Sequence, residues 1–221
     1  MIKNIPIRAC SAVAILGGLV LVLTGTAFFT RVSYLVSWQG HDLFDVLSES
    51  IDLLNVGSAA GQLLLVAGFA ALYATLRRPS VFATVGVVLA PLSVVTPIIS
   101  AARVPMSAAA SLSLYLGVVG FLVLSIAVLR ERTLGRWAAL PLLLWLLKTP
   151  FLTALLGILY FDVFARGAEP GVAGLAFAMV SVVLLGLGWI ILGYRIWSNR
   201  GRRDRQNSQQ VPDGLSRAAG F

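Results

Sequence analysis

Residues 9–30 read ACSAVAILGGLVLVLTGTAFFT, an uncharged apolar run that is long enough to cross a bilayer. A membrane-spanning helix needs about 20 such residues, whereas the apolar part of a cleavable signal peptide has roughly 7–15. We therefore interpret the run as an uncleaved first span. Five further predicted spans follow in the sequence, at residues 53–76, 81–102, 108–129, 137–161 and 172–197.

The composition of the whole chain agrees with a membrane protein. Hydrophobic residues make up 58% of the 221 residues and charged residues only 12%, whereas a soluble domain is about 25% charged. A soluble globular domain is excluded, and so is a disordered chain, which would be poor in apolar residues. Backbone groups in lipid must be paired within their own segment. The sequence therefore predicts an all-α fold, a polytopic transmembrane bundle of six helices.

Basic residues are distributed unequally between the two predicted sides of the membrane. Of the 17 Lys and Arg residues, only Arg31, Arg103 and Arg166 fall on one side, Lys148 lies within a span, and all others fall on the opposite side. Because Lys and Arg are enriched in cytoplasmic loops, we predict that both termini are cytoplasmic. The single cysteine, Cys10, excludes an intrachain disulfide and a multi-cysteine metal or redox site, and no cofactor is predicted.

The polar end of the chain, residues 198–221, is rich in Arg, Gln, Ser and Gly and predicts a disordered cytoplasmic tail. Its Arg200–Arg205 cluster is expected to contact anionic lipids of the inner leaflet, at about 1 kcal/mol per basic residue. So short a cluster directly after a span is typical of membrane flanking, and we do not expect a nucleic-acid partner.

Lys148 is the one basic residue predicted to lie near the middle of a span. It is near the middle of the fifth predicted span, roughly 17–20 Å from either end, which is farther than a lysine side chain can reach. Burying this charge costs about 2.5–3.5 kcal/mol or more. A polar partner, water or an anionic ligand should therefore face it. The alternative is a lysine satisfied by carbonyls that proline kinks release.

The second predicted span has two distinct faces that bear on its neighbours. Asn55, Ser58 and Gln62 share one face at helical spacing, and we place Gln62 toward Lys148 and Thr96. The alternative role of these amides is simple hydrogen bonding between helices. Three glycines form a separate stripe for close helix packing, in which Gly57 and Gly61 make a GxxxG motif and Gly68 follows. A helix with two such faces is expected to be surrounded by other helices.

Residues 40–52, GHDLFDVLSESID, predict an amphipathic helix at the outer membrane surface. His41, Asp45 and Glu49 fall on its polar face and could ligate a metal or act as acid and base. The alternative is a solvated acidic face, since one histidine with two carboxylates is a weak metal signature and no HExxH pattern is present.

Two stretches carry a resemblance to known sequences. RTLGRWAALPLLLWLL at residues 132–147 and GLGWIILGYRIW at residues 186–197 resemble segments of uncharacterised bacterial multi-pass membrane proteins, grouped as domains of unknown function. The resemblance implies a bacterial inner-membrane location. It implies nothing about activity and carries over no functional residue.

Three classes of function remain open after the sequence is read. The first is a non-catalytic membrane subunit or scaffold, with a homo-oligomer or a partner subunit held through the GxxxG face. The second is a small transporter with a polar mid-membrane site around Lys148, since such sites lie near the midplane. The third is a lipid-acting enzyme with the acidic outer face as its site. No predicted span contains an acidic residue, which disfavours a proton-driven pump.

Overall fold

The computed structural model describes residues 6–39, 43–95, 98–99, 102, 108–148 and 170–209, and within them the fold is helical. We number the α-helices in chain order: α1 Ile7–Gln39, α2 Leu43–Thr75, α3 Val81–Leu89, α4 Ala108–Glu131, α5 Leu140–Lys148 and α6 Pro170–Gln209. Two 3-10 segments, Ala90–Val94 and Gly135–Trp137, follow α3 and precede α5.

Four of the helices are long and apolar enough to cross a membrane, as judged by length and composition; these stretches are Ile7–Arg31, Asp52–Thr75, Ser111–Glu131 and Val180–Asn199. Their outward sides carry large exposed apolar residues such as Leu23, Tyr115 and Ile191, as expected of surfaces that face lipid. The third and fifth predicted spans appear as shorter apolar helices, Val81–Val94 and Gly135–Leu147. Parts of both spans lie outside the described residues, so a total of six spans stays a prediction.

The helices pack so that α2 has neighbours on several sides. It contacts α1, α3, α4 and α6, while α1 also packs along α6, and α5 packs against α4 and α6. The second span was expected to have such a surrounded position. The central side chains Phe69, Phe121 and Trp189 are fully buried, with ring centroids 5.0, 5.4 and 5.9 Å apart. These three rings from α2, α4 and α6 fill the middle of the bundle.

Glycines let α1 approach both of its neighbours closely. A Cβ added to Gly61 would lie 2.7 Å from Leu21 Cδ2, and one added to Gly57 would collide with Thr24. A Cβ on Gly68 would meet Trp189 and Ala14. The GxxxG face expected to bind a separate partner helix is therefore occupied by α1 of the same chain, and this part of the scaffold hypothesis is wrong.

The acidic outer segment is also continuous with the helix that follows it. The sequence predicts a separate interfacial helix over residues 40–52, but α2 runs unbroken from Leu43 to Thr75, and residues 40–42 lie outside the described residues. No proline or glycine interrupts residues 43–56, and carboxylates in the first turns, such as Asp45, favour a helix N-terminus through its dipole. The predicted break before the second span is therefore wrong, and the amphipathic character of residues 40–52 stays a prediction, because most of their side chains lie outside the described part.

The other end of the chain shows a similar extension. Residues 198–209, predicted as the start of a disordered tail, continue α6 as helix; residues 210–221 lie outside the described residues. Extending an existing helix avoids the cost of nucleation, and Arg and Gln are good helix formers. Polarity alone therefore does not distinguish a protruding helix from a disordered tail.

Candidate functional site

The polar face of α2 places one unsatisfied group within the bundle. Gln62 is partly buried, and its Nε2 donates a hydrogen bond to Ser58 Oγ at 3.1 Å. Its Oε1 is buried without a hydrogen-bond partner among the described residues. A buried acceptor left in this state costs about 1–3 kcal/mol. Asn55, two turns before Gln62 on the same face, is also partly buried.

The depth of Lys148 can be compared with that of Gln62 along the helix axes. Trp145 Nε1 donates to the carbonyl of Val118 at 2.7 Å, which fixes the level of α5 against α4. Phe69 and Phe121 are in contact and fix the level of α2 against α4. We measure depth from the level of the Phe69–Phe121 contact. At 1.5 Å per residue, Lys148 lies about 9 Å and Gln62 about 10.5 Å from that level, in the same direction.

The proposed mid-membrane site therefore has two backbones at similar depth, but its side-chain contacts stay a prediction. The Lys148 side chain and all of Thr96 lie outside what the structure describes. The described part of α5 packs against α4 and α6, so Lys148 would have to reach past one of these helices to meet Gln62. The outer site is likewise undescribed: His41 and the side chains of Asp45 and Glu49 fall outside the described part.

A second polar region lies at the end of the bundle where α1 begins and α2 and α4 end, which we call the basic end. There the backbone N–H of Arg77 donates to Glu131 Oε2 at 2.8 Å, and the hydroxyls of Thr75 and Thr133 are 3.3 Å apart. These contacts join the chain after α2 to the chain after α4. They also set the position of the turn that leads into α5.

The turn after α4 uses two residues with left-handed backbone angles. Arg132 has a φ of 48° and Gly135 a φ of 59°. Glycine adopts this conformation freely, whereas an arginine there costs of order 1 kcal/mol. The turn brings Trp137 back onto the core, where it packs beside α6.

Two arginines flank the indole of Trp137. The guanidinium carbon of Arg195 lies 4.8 Å from the ring centroid and that of Arg136 lies 5.9 Å from it. The indole Nε1 is buried without a partner among the described residues. We call Arg136, Trp137 and Arg195 the Trp137 cluster. A cavity of about 30 Å³ lies at the same basic end, and its lining comprises Ile7, Ala74, Thr75, Thr133, Leu134, Ile196 and Asn199.

The sequence alone does not single out this cluster. It uses both arginines only as charges that orient the protein in the membrane. Arg136 and Trp137 are adjacent in the chain and could have been paired, but Arg195 is far away in sequence. Only the packing of α6 beside the turn brings it onto the indole.

Comparisons with known proteins add no relative to these observations, because no family model, curated protein or solved structure matches the chain. The resemblance to uncharacterised bacterial membrane proteins therefore stays a prediction.

Proposed function

We propose that this protein is a non-catalytic membrane subunit or scaffold. The observation that carries the proposal is the filled centre of the bundle, where Phe69, Phe121 and Trp189 are fully buried against one another. Interlocking rings and direct glycine crossings give a rigid interior. Such an interior suits a protein that presents its outer faces to a partner or to a second copy of itself.

The orientation and location of the subunit belong to the same proposal. The six spans are proposed from the apolar runs, the cytoplasmic position of both termini from the distribution of basic residues, and a bacterial inner membrane from the stated resemblance. The helical extension of α6 would carry the Arg200–Arg205 cluster into the cytoplasm. Anionic lipids of the inner leaflet are its proposed contact.

Native mass spectrometry of the tagged protein, extracted from its membrane in polymer-bounded nanodiscs, tests the scaffold proposal. We expect a second polypeptide or a second copy at a fixed stoichiometry that persists on dilution. A tagged, unrelated membrane protein of similar size, extracted in parallel, is the control for incidental co-extraction. A chain that is monomeric under every mild extraction condition would contradict the proposal.

A second candidate function, a small transporter, is favoured by one observation: the Oε1 of Gln62 is buried and has no hydrogen-bond partner in the part of the chain that the structure describes. An acceptor at the depth of the Lys148 backbone could contact a permeating solute, and a lysine would favour an anion. Osmotic swelling of proteoliposomes in small organic anions tests this function. Permeation that is lost in both Gln62→Leu and Lys148→Leu would support transport, and impermeable wild-type vesicles would exclude it for those solutes.

A further inference from the structure

The Trp137 cluster concentrates positive charge on one aromatic ring. The guanidinium carbons lie 4.8 and 5.9 Å from the same centroid, so the two charges are no more than 10.7 Å apart. Cation–π contact stabilises each of them by about 0.5–2 kcal/mol, but it leaves their N–H donors unused. Within the described residues, neither guanidinium forms an ion pair or a hydrogen bond.

The carboxylate described at the basic end, Glu131, forms no ion pair with either arginine of the cluster. Glu131 uses its Oε2 to accept the backbone N–H of Arg77 and is engaged in joining the two loops. Two like charges beside one ring repel each other, and an anion bound between them would remove that repulsion. Arginine forms short, paired hydrogen bonds with phosphate oxygens.

The position of the cluster along the helices matches the level of lipid headgroups. Arg195 lies in the last turns of the apolar stretch Val180–Asn199, and Arg136 lies at the start of the apolar stretch Gly135–Leu147. Both arginines are therefore at the edge of the apolar part of the bundle. Aromatic rings and basic side chains at this edge meet the phosphate layer of a bilayer.

We propose that the Trp137 cluster is a phosphate-binding site, in which Arg136 and Arg195 together hold one phosphate group over the edge of the indole. An anionic phospholipid headgroup is the source that the membrane level favours, and a free phosphate has the same chemistry. This site is separate from the Arg200–Arg205 cluster and does not depend on the scaffold proposal.

The test uses the full chain in a neutral detergent, titrated in separate arms with a short-chain phosphatidylglycerol and with inorganic phosphate. Thermal unfolding and tryptophan fluorescence report binding. The variant Arg136→Gln/Arg195→Gln removes both guanidinium groups of the cluster. Its matched control, Arg78→Gln/Arg130→Gln, removes two exposed charges at the same basic end without touching Trp137.

We expect the cluster variant to weaken binding by about tenfold or more, since charge-assisted hydrogen bonds are lost, and the control variant to weaken it by much less. Binding of the lipid alone would identify a headgroup site, and binding of both probes would identify a site for phosphate in general. Equal weakening by the two double variants would mean a diffuse basic surface and overturn the proposal. Failure of the wild type to bind either probe would overturn it as well.

Discussion

The crossing of α1 and α6 makes the sharpest prediction about stability. A Cβ built on Gly18 would lie 2.5 Å from the carbonyl oxygen of Gly186, and a Cβ built on Gly186 would lie 2.5 Å from the carbonyl oxygen of Gly18. Ordinary contact begins at 3.4 Å, so one added methyl group must separate the helices by about 0.9 Å. Both obstacles are backbone atoms, which cannot rotate away.

The cost of Gly18→Ala follows from that separation. A gap of about 0.5–1 Å removes a quarter to a half of each dispersion contact across an interface, and overpacking a well-packed site costs about 1–3 kcal/mol. Alanine is better than glycine within a helix by about 1 kcal/mol, which offsets part of the loss. We expect a net loss in the free energy of unfolding of up to about 2 kcal/mol.

The reciprocal geometry also predicts non-additivity. Once Gly18→Ala has moved the helices apart, most of the room that Gly186→Ala needs is already present. The double variant should therefore lose less stability than the two single variants together, by about 0.5–1 kcal/mol. Unfolding in mixed micelles with increasing sodium dodecyl sulfate, followed by circular dichroism, measures all four free energies.

The matched control is Ala27→Val, which adds volume to an exposed position of the same helix and should change the free energy of unfolding only slightly. A Gly18→Ala variant that is more stable than the wild type by the full helix-propensity gain would refute the close crossing. Strict additivity of the two alanine variants would refute the idea that one separation relieves both contacts.

Three further predictions concern single sites and the topology. Gln62→Leu removes an acceptor that is buried without a partner among the described residues and should leave the unfolding free energy unchanged or raise it by about 1 kcal/mol; a large loss would reveal a partner for Oε1. Trp145→Phe removes the hydrogen bond to Val118 and should cost about 1 kcal/mol in the same assay, whereas no loss would mean that this bond does not hold α5. A reporter that is active only in the cytoplasm should be active when it is fused after Phe221. Activity of a periplasm-dependent reporter at the same position would overturn the predicted orientation.

Much of the fold could be predicted because it depends on local properties of the chain. The run at residues 9–30 is apolar throughout, and its length and composition are enough to indicate a helix that can cross a membrane. The ends of helices were predicted less well. Around residue 43 and beyond residue 198 the polar flanks continue as helix, because a helix extends into any sequence that does not break it.

The candidate sites divide in the same way. Gln62 could be identified as an inward-facing polar residue from its spacing with Asn55 and Ser58. The spacing does not show that its Nε2 binds within its own helix, or that its Oε1 has no partner among the described residues. Both facts depend on neighbours that the spacing does not specify. The Trp137 cluster was missed because its third member comes from a distant helix.

By itself, the sequence determined that this protein is apolar, helical and suited to a membrane, since hydrophobicity and backbone pairing act within each segment. Only the tertiary structure decided that Gly57 and Gly61 face α1 within the same chain, that Gly18 meets Gly186, and that Arg195 lies over Trp137. These contacts depend on the register between helices far apart in sequence. That register is set by how side chains and glycine gaps fit together once the helices have formed.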